Sequence, residues 1–81
     1  MNVEVRLFAR ARDLAGADRV RVELPLAARV IDLRAALAEQ FPGLRPLVPN
    51  LLVAVGTEYA DDATAVGPDV EIACFPPVSG G

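Results

Sequence analysis

The residues best able to do chemistry in this sequence stand at its end. Phe75-Pro76-Pro77-Val78-Ser79-Gly80-Gly81 runs from an apolar stretch through two prolines to two glycines. Two glycines present a carboxylate on backbone that has no side chains beside it, so such a tail can be threaded into a narrow channel. A free α-carboxylate, with a pKa of roughly 3.5, is ionised at neutral pH and is a poor electrophile until something activates it. An enzyme that adenylates it would turn Gly81 into a reactive acyl group. Fully extended, residues 76–81 reach roughly 20 Å at about 3.3–3.6 Å each. Pro76-Pro77 stiffens the base of that arm and Gly80-Gly81 leaves its tip free.

The rest of the chain offers little catalysis of its own. It contains no His, the commonest general base near neutral pH. The single Cys74 has neither a His partner nor basic neighbours in sequence to lower its pKa, and cannot form an internal disulfide, which agrees with a reducing compartment. Cys74 also falls in phase with Val70 and Ile72, which marks it as a small core residue. All eight basic residues are Arg, so no side-chain amine is present to capture an activated C-terminus, although a GC-rich genome accounts for this equally well.

Charge is unevenly placed. Residues 1–34 hold seven Arg and five acids, whereas residues 35–81 hold one Arg and six acids, for a net charge of −3. The acidic C-terminal half lacks the clustered basic face of a nucleic-acid binder and suits a tail partner that is locally basic. No stretch approaches the roughly 18–20 apolar residues of a membrane span, and the N-terminus alternates charged and apolar residues where a signal peptide would be continuously apolar. A cytoplasmic location is expected.

Eighty-one residues suffice for one compact domain, able to bury roughly 60–65% of its unfolded surface. Residues 3–9 alternate, with Val3, Val5, Leu7 and Ala9 on one side and Glu4, Arg6 and Phe8 on the other, the period of a half-buried strand. Residues 10–18 read as a connection, long for a hairpin, to a second alternating run of Val20, Val22 and Leu24. After Pro25 the period changes to Val30, Leu33, Leu37 and Phe41, which predicts one helix near 30–41, ended by Pro42-Gly43. Arg29 is a poor residue to cap it, while Asp32 suits the helix dipole. Leu51-Leu52-Val53-Ala54-Val55 reads as a well-buried strand, Tyr59-Ala60 as a short edge segment, and residues 69–75 as a final strand that Pro76 stops.

The order strand, strand, helix, strand, short segment, strand predicts an α+β protein: a β-grasp mixed sheet with one main helix packed on one face, residues 1–75, followed by an extended tail, residues 76–81. In that fold the first and last strands are parallel neighbours. Phe8 and Phe75 would then share the outer face at the root of the tail, with Tyr59 alongside. Aromatics grouped on a surface mark a partner site unless a loop covers them.

The run Cys74-Phe75-Pro76-Pro77-Val78-Ser79-Gly80-Gly81, the preceding Gly67-Pro68-Asp69-Val70-Glu71-Ile72-Ala73 and the N-terminal Leu7-Phe8-Ala9-Arg10-Ala11-Arg12-Asp13-Leu14-Ala15-Gly16 together resemble the small subunit of molybdopterin synthase. The resemblance covers essentially the whole chain in order. It implies a ubiquitin-like sulfur carrier that binds no cofactor or metal. Gly81 would be adenylated, at the expense of ATP, by an activating enzyme resembling those of ubiquitin, then converted to a thiocarboxylate with sulfur from a persulfide donor. The tail of Pro76, Pro77, Val78, Ser79 and Gly80 would enter the large synthase subunit in a heterotetramer. There Gly81 would deliver sulfur to cyclic pyranopterin monophosphate, two deliveries building the dithiolene. Phe8, Tyr59 and Phe75 would form the docking face, and the catalytic groups would belong to the large subunit. Three alternatives stay open: a sulfur carrier for another pathway such as thiamine synthesis, a ubiquitin-like modifier joined to lysines, and an interaction module with an unreactive tail.

Overall fold

The computed structural model describes residues 1–77 and forms an α+β fold. Five strands make one mixed sheet: β1 (Asn2–Leu7), β2 (Arg19–Glu23), β3 (Leu52–Val55), β4 (Glu58–Tyr59) and β5 (Ile72–Phe75). Their order across the sheet is β2-β1-β5-β3-β4. Among the described residues only the β1–β5 pair is parallel, with Val5 opposite Ile72 and Leu7 opposite Cys74. This is the β-grasp arrangement that the order of elements predicts.

Alternation decides which face is buried. Val3, Val5 and Leu7 of β1, Val20 and Val22 of β2, Val53 of β3 and Ile72 and Cys74 of β5 all face one core. The helix α2 (Val30–Gln40) closes that core with Val30, Leu33, Ala36 and Leu37 on its inner stripe. Arg29, as expected, makes no side-chain cap, since a guanidinium has no acceptor. Asp32 supplies the missing contact: its carboxylate accepts from the Arg29 backbone N–H at 2.8 Å. The Val30 and Ile31 N–H groups donate to the Thr64 and Asp62 carbonyls, so the segment before β5 finishes the helix N-terminus. Arg34 pins the same region, with Nε 2.7 Å from the Asp62 carboxylate and a guanidinium N–H donating to the Val48 carbonyl at 2.8 Å.

Three expectations need correction. The connection after β1 is not a loop, because Ala9–Ala15 forms a second helix, α1. Ala9 therefore does not continue the inner row of β1; its φ of 53° turns the chain out of the strand. A seven-residue helix has too little cooperativity to announce itself locally. It is held by tertiary contacts: Ala11 is buried, Gly16 closes the C-terminus in the left-handed region at φ 76°, and Gly43 lies so close that an added Cβ would sit 2.8 Å from the Leu14 carbonyl oxygen. Second, β3 is less enclosed than its apolar composition implies, since Leu52 faces outward at 40% exposure while Val53 is buried. Third, β5 begins at Ile72 and not at residue 69, because residues 67–71 approach the sheet as turn and irregular chain.

A left-handed alanine is strained, since its Cβ crowds the following carbonyl at roughly 1–2 kcal/mol. Ala9→Gly is expected to stabilise the domain by about 0.5–1 kcal/mol, the strain released less the extra entropy glycine gives the unfolded chain. Urea unfolding at constant slope checks it, and a lower midpoint would show that the Ala9 methyl is needed for packing.

Candidate functional site

Parallel pairing of β1 and β5 builds the site. Because Leu7 lies opposite Cys74, the next residue of each strand, Phe8 and Phe75, arrives at the same end of the sheet. Their rings stack with centroids 4.7 Å apart and planes 10° from parallel. Tyr59 on β4 meets Phe75 edge-on at 6.3 Å and 70°. Both arrangements are favoured by the ring quadrupoles and by apolar burial. Phe8 and Phe75 half-bury one another, whereas Tyr59 is 72% exposed. The structure thus joins three residues that the sequence separates.

Two further residues belong to this surface. Leu52 lies directly opposite Phe75 on β3 and points the same way. The alternation Leu51 in, Leu52 out, Val53 in was the available signal, masked by a run in which every residue is apolar. Arg6 places its guanidinium 5.3 Å from the centre of the Phe8 ring and within 3.6 Å of the Glu71 carboxylate. Such a cation over an aromatic face is attractive and fixes the ring's orientation.

Pro76 continues directly from Phe75 and is half-buried, while Pro77 is exposed. Lacking a backbone N–H, Pro76 ends the ladder where the aromatic cluster stands. The remaining expected tail positions, Val78, Ser79, Gly80 and Gly81, lie outside the described residues.

Cys74 sits in the core with its side chain fully buried. Burial pushes its thiol up to about 12 from an ordinary value of 9.0, outweighing the Arg34 guanidinium, which pulls the other way. A thiol held neutral in this way is no nucleophile at neutral pH. Its folded pKa exceeds its unfolded one, so the folded state holds the proton more tightly. Stability is therefore expected to be intact below about pH 9 and to fall as pH rises toward 12, by at most about 1.4 kcal/mol per unit. Urea unfolding at pH 8 and pH 10.5 should show a steeper loss for the natural chain than for Cys74→Ala. Equal slopes would mean that the thiol ionises in place.

Among the described residues, no three His, Cys, Asp or Glu side chains come together as metal ligands, and no helix is long and apolar enough to cross a membrane. The cluster leaves Leu52 and Tyr59 exposed beside the start of the tail.

The ThiS family matches residues 5–81, the aromatic cluster and tail included. The chain belongs to the ThiS family. The molybdopterin synthase sulfur carrier subunit of Drosophila yakuba is 37% identical over 84 aligned residues, covering 100% of this chain and 92% of that protein. SAMP1 of Haloferax volcanii, a small archaeal modifier protein, superposes with a TM-score of 0.87 at 34% identity over 100% of both chains. A complex of subunits 1 and 2 of the molybdopterin-converting factor from Helicobacter pylori 26695 contains a chain with a TM-score of 0.68 at 26% identity, again over 100% of both. The ThiS-family homologues named as sulfur carrier subunits thus align with this chain through the whole domain, and the β-grasp fold is shared with the solved neighbours.

Proposed function

We propose that this ThiS-family chain is the sulfur carrier of molybdopterin synthase. The observation that carries the reading is the Phe8–Phe75 stack, flanked by Tyr59, at the point where Pro76-Pro77 leads the chain away from the sheet. A docking surface at the root of a Gly-Gly tail fixes where the tail's end falls in a bound partner, which turns a diffusional encounter into a positioned reaction. Full-length homology to proteins named molybdopterin synthase sulfur carrier subunit supports this pathway over thiamine synthesis. The subunit 1–subunit 2 complex among the structural neighbours supports a large-subunit partner.

In this mechanism the Gly81 carboxylate attacks the α-phosphate of ATP on an activating enzyme, releasing pyrophosphate and leaving an acyl adenylate. A donor persulfide displaces AMP from the acyl carbon to give an acyl disulfide, and a second thiol attacks the donor's sulfur in that disulfide, releasing the thiocarboxylate and leaving the thiol and the donor sulfur joined as a disulfide. Docked through Phe8, Tyr59 and Phe75, the carrier extends Pro76–Gly81 into the large subunit, where its sulfur bonds to cyclic pyranopterin monophosphate and water then cleaves the acyl–sulfur bond, leaving the sulfur on the substrate and returning Gly81 to a carboxylate. This chain contributes the cargo atom, the arm and the docking face; the large subunit supplies proton transfer and substrate binding. The buried, neutral Cys74 takes no part.

Intact mass tests the first half directly. After incubation with the cognate activating enzyme, ATP and a sulfur source, the chain should gain the mass of one oxygen exchanged for sulfur, confined to its C-terminal fragment. An unchanged mass would overturn the carrier reading.

The likeness to SAMP1 favours a second reading, in which Gly81 is joined to lysines of other proteins. It uses the same adenylate and differs in the nucleophile that collects the acyl group. Lysines of other proteins found after proteolysis with a peptide of this chain ending in Gly81 attached through an isopeptide bond would establish it, a peptide longer than Gly-Gly because the last basic residue is Arg45.

A further inference from the structure

At the edge of the sheet farthest from β4, strand β2 has one side paired and the other open. The bonds Met1 N–H to Leu24 O and Leu24 N–H to Met1 O, both 2.7 Å, and Leu7 N–H to Asp18 O at 2.8 Å fix the phase of the β1–β2 ladder. Antiparallel pairs alternate between residues that exchange both backbone bonds and residues that exchange none. Arg19, Arg21 and Glu23, opposite Arg6, Glu4 and Asn2, therefore aim their backbone N–H and C=O groups away from β1.

One of the three is already occupied. The Gln40 side chain accepts from the Glu23 N–H at 3.0 Å and donates to the Glu23 carbonyl at 2.9 Å. That two-point contact copies what a neighbouring strand would make. It stops strand addition at the Glu23 end and leaves the backbone of Arg19 and Arg21 open. Both side chains lie on the outer face. Arg19 holds Glu4 at 3.3 Å, Arg6 holds Glu71, and Arg21 has no ion pair among the described residues. A second copy of this chain is a poor occupant, because with Glu23 blocked every self-pairing sets arginine opposite arginine, and like charges directly opposite are destabilising.

We propose that the Arg19–Arg21 edge of β2 binds an extended acidic segment of a partner protein by strand addition, with Gln40 fixing where the added strand stops. Main-chain bonds to Arg19 and Arg21 supply attachment, and carboxylates at alternate positions of the segment meet the two guanidiniums. The edge lies two strands from β5, about 10 Å away at the usual strand spacing. A segment bound there leaves Phe8, Phe75 and Tyr59 open, so this contact is independent of the sulfur-carrier reading and its test needs no activated tail.

The probe is a capped synthetic octapeptide alternating valine and glutamate, titrated into the uniformly labelled full chain by NMR. The expected result is amide shifts and slowed hydrogen exchange at Arg19 and Arg21, and none with the octapeptide carrying lysine for glutamate. Arg21→Glu should weaken binding about five- to tenfold, the scale of one cross-strand charge pair turned from attractive to repulsive. Gln40→Ala should extend the protected stretch to Glu23 at equal or greater affinity. Equal binding of the lysine peptide, shifts confined to the aromatic cluster, or protection caused by dimerisation of the free chain would each overturn the proposal.

Discussion

Deleting Gly81 is expected to abolish sulfur transfer and to leave the domain folded. The shortened chain still ends in a glycine carboxylate, but that carboxylate falls back by one residue, about 3.5 Å along an extended arm. The arm's root is held at Phe75 by stacking and by the β5 ladder, so the docked domain cannot slide forward to compensate. A misplacement of about 1 Å in a positioned reaction can cost roughly 100-fold. A loss of at least that size is expected both in adenylate formation and in single-turnover delivery to the large subunit. The unfolding midpoint should not move, since every core residue among the described ones lies at or before Cys74. Sulfur transfer at the natural rate would sink the mechanism.

Phe75→Ala is expected to weaken association with the large subunit by about 2 kcal/mol or more, roughly 30-fold, because buried aromatic anchors near the centre of an interface carry much of its energy. The change also removes the ring against which Phe8 stacks and which Tyr59 meets edge-on, so three aromatic positions lose their arrangement together. Thermal unfolding is the necessary companion measurement. Phe75 is half-buried on the face opposite the core, and its truncation should cost stability far less than affinity. Calorimetry on the two variants Phe75→Ala and Tyr59→Ala should rank Phe75 first. Unchanged affinity for Phe75→Ala would show that the aromatic cluster serves the fold alone.

Much of the architecture was legible because it rests on local periodicity. The two-residue alternation of β1 and β2 and the helical spacing of Val30, Leu33 and Leu37 each assign a buried face without reference to distant residues. The misses fall where that signal fails. Helix α1 is too short to be stable alone and forms because Ala11 enters the core and Gly43 lets the following turn approach Leu14. Leu52 was hidden because an apolar residue on the outer face of an apolar strand leaves no contrast to read.

The sequence by itself determined which chemistry could be proposed for this protein. The absence of His, the phase of the one cysteine with the core and the run from Phe-Pro-Pro to Gly-Gly are what pointed to Gly81 as the proposed sulfur-bearing position, because residue type alone sets nucleophiles, bases and backbone freedom. Only the tertiary structure decided what surrounds the root of that tail. Phe8 and Phe75 meet because the parallel register sets Leu7 opposite Cys74, and the outward backbone groups of Arg19 and Arg21 have no partner among the described residues because β2 ends the sheet. Register and strand order are settled by closure of the whole core, and no segment carries them alone.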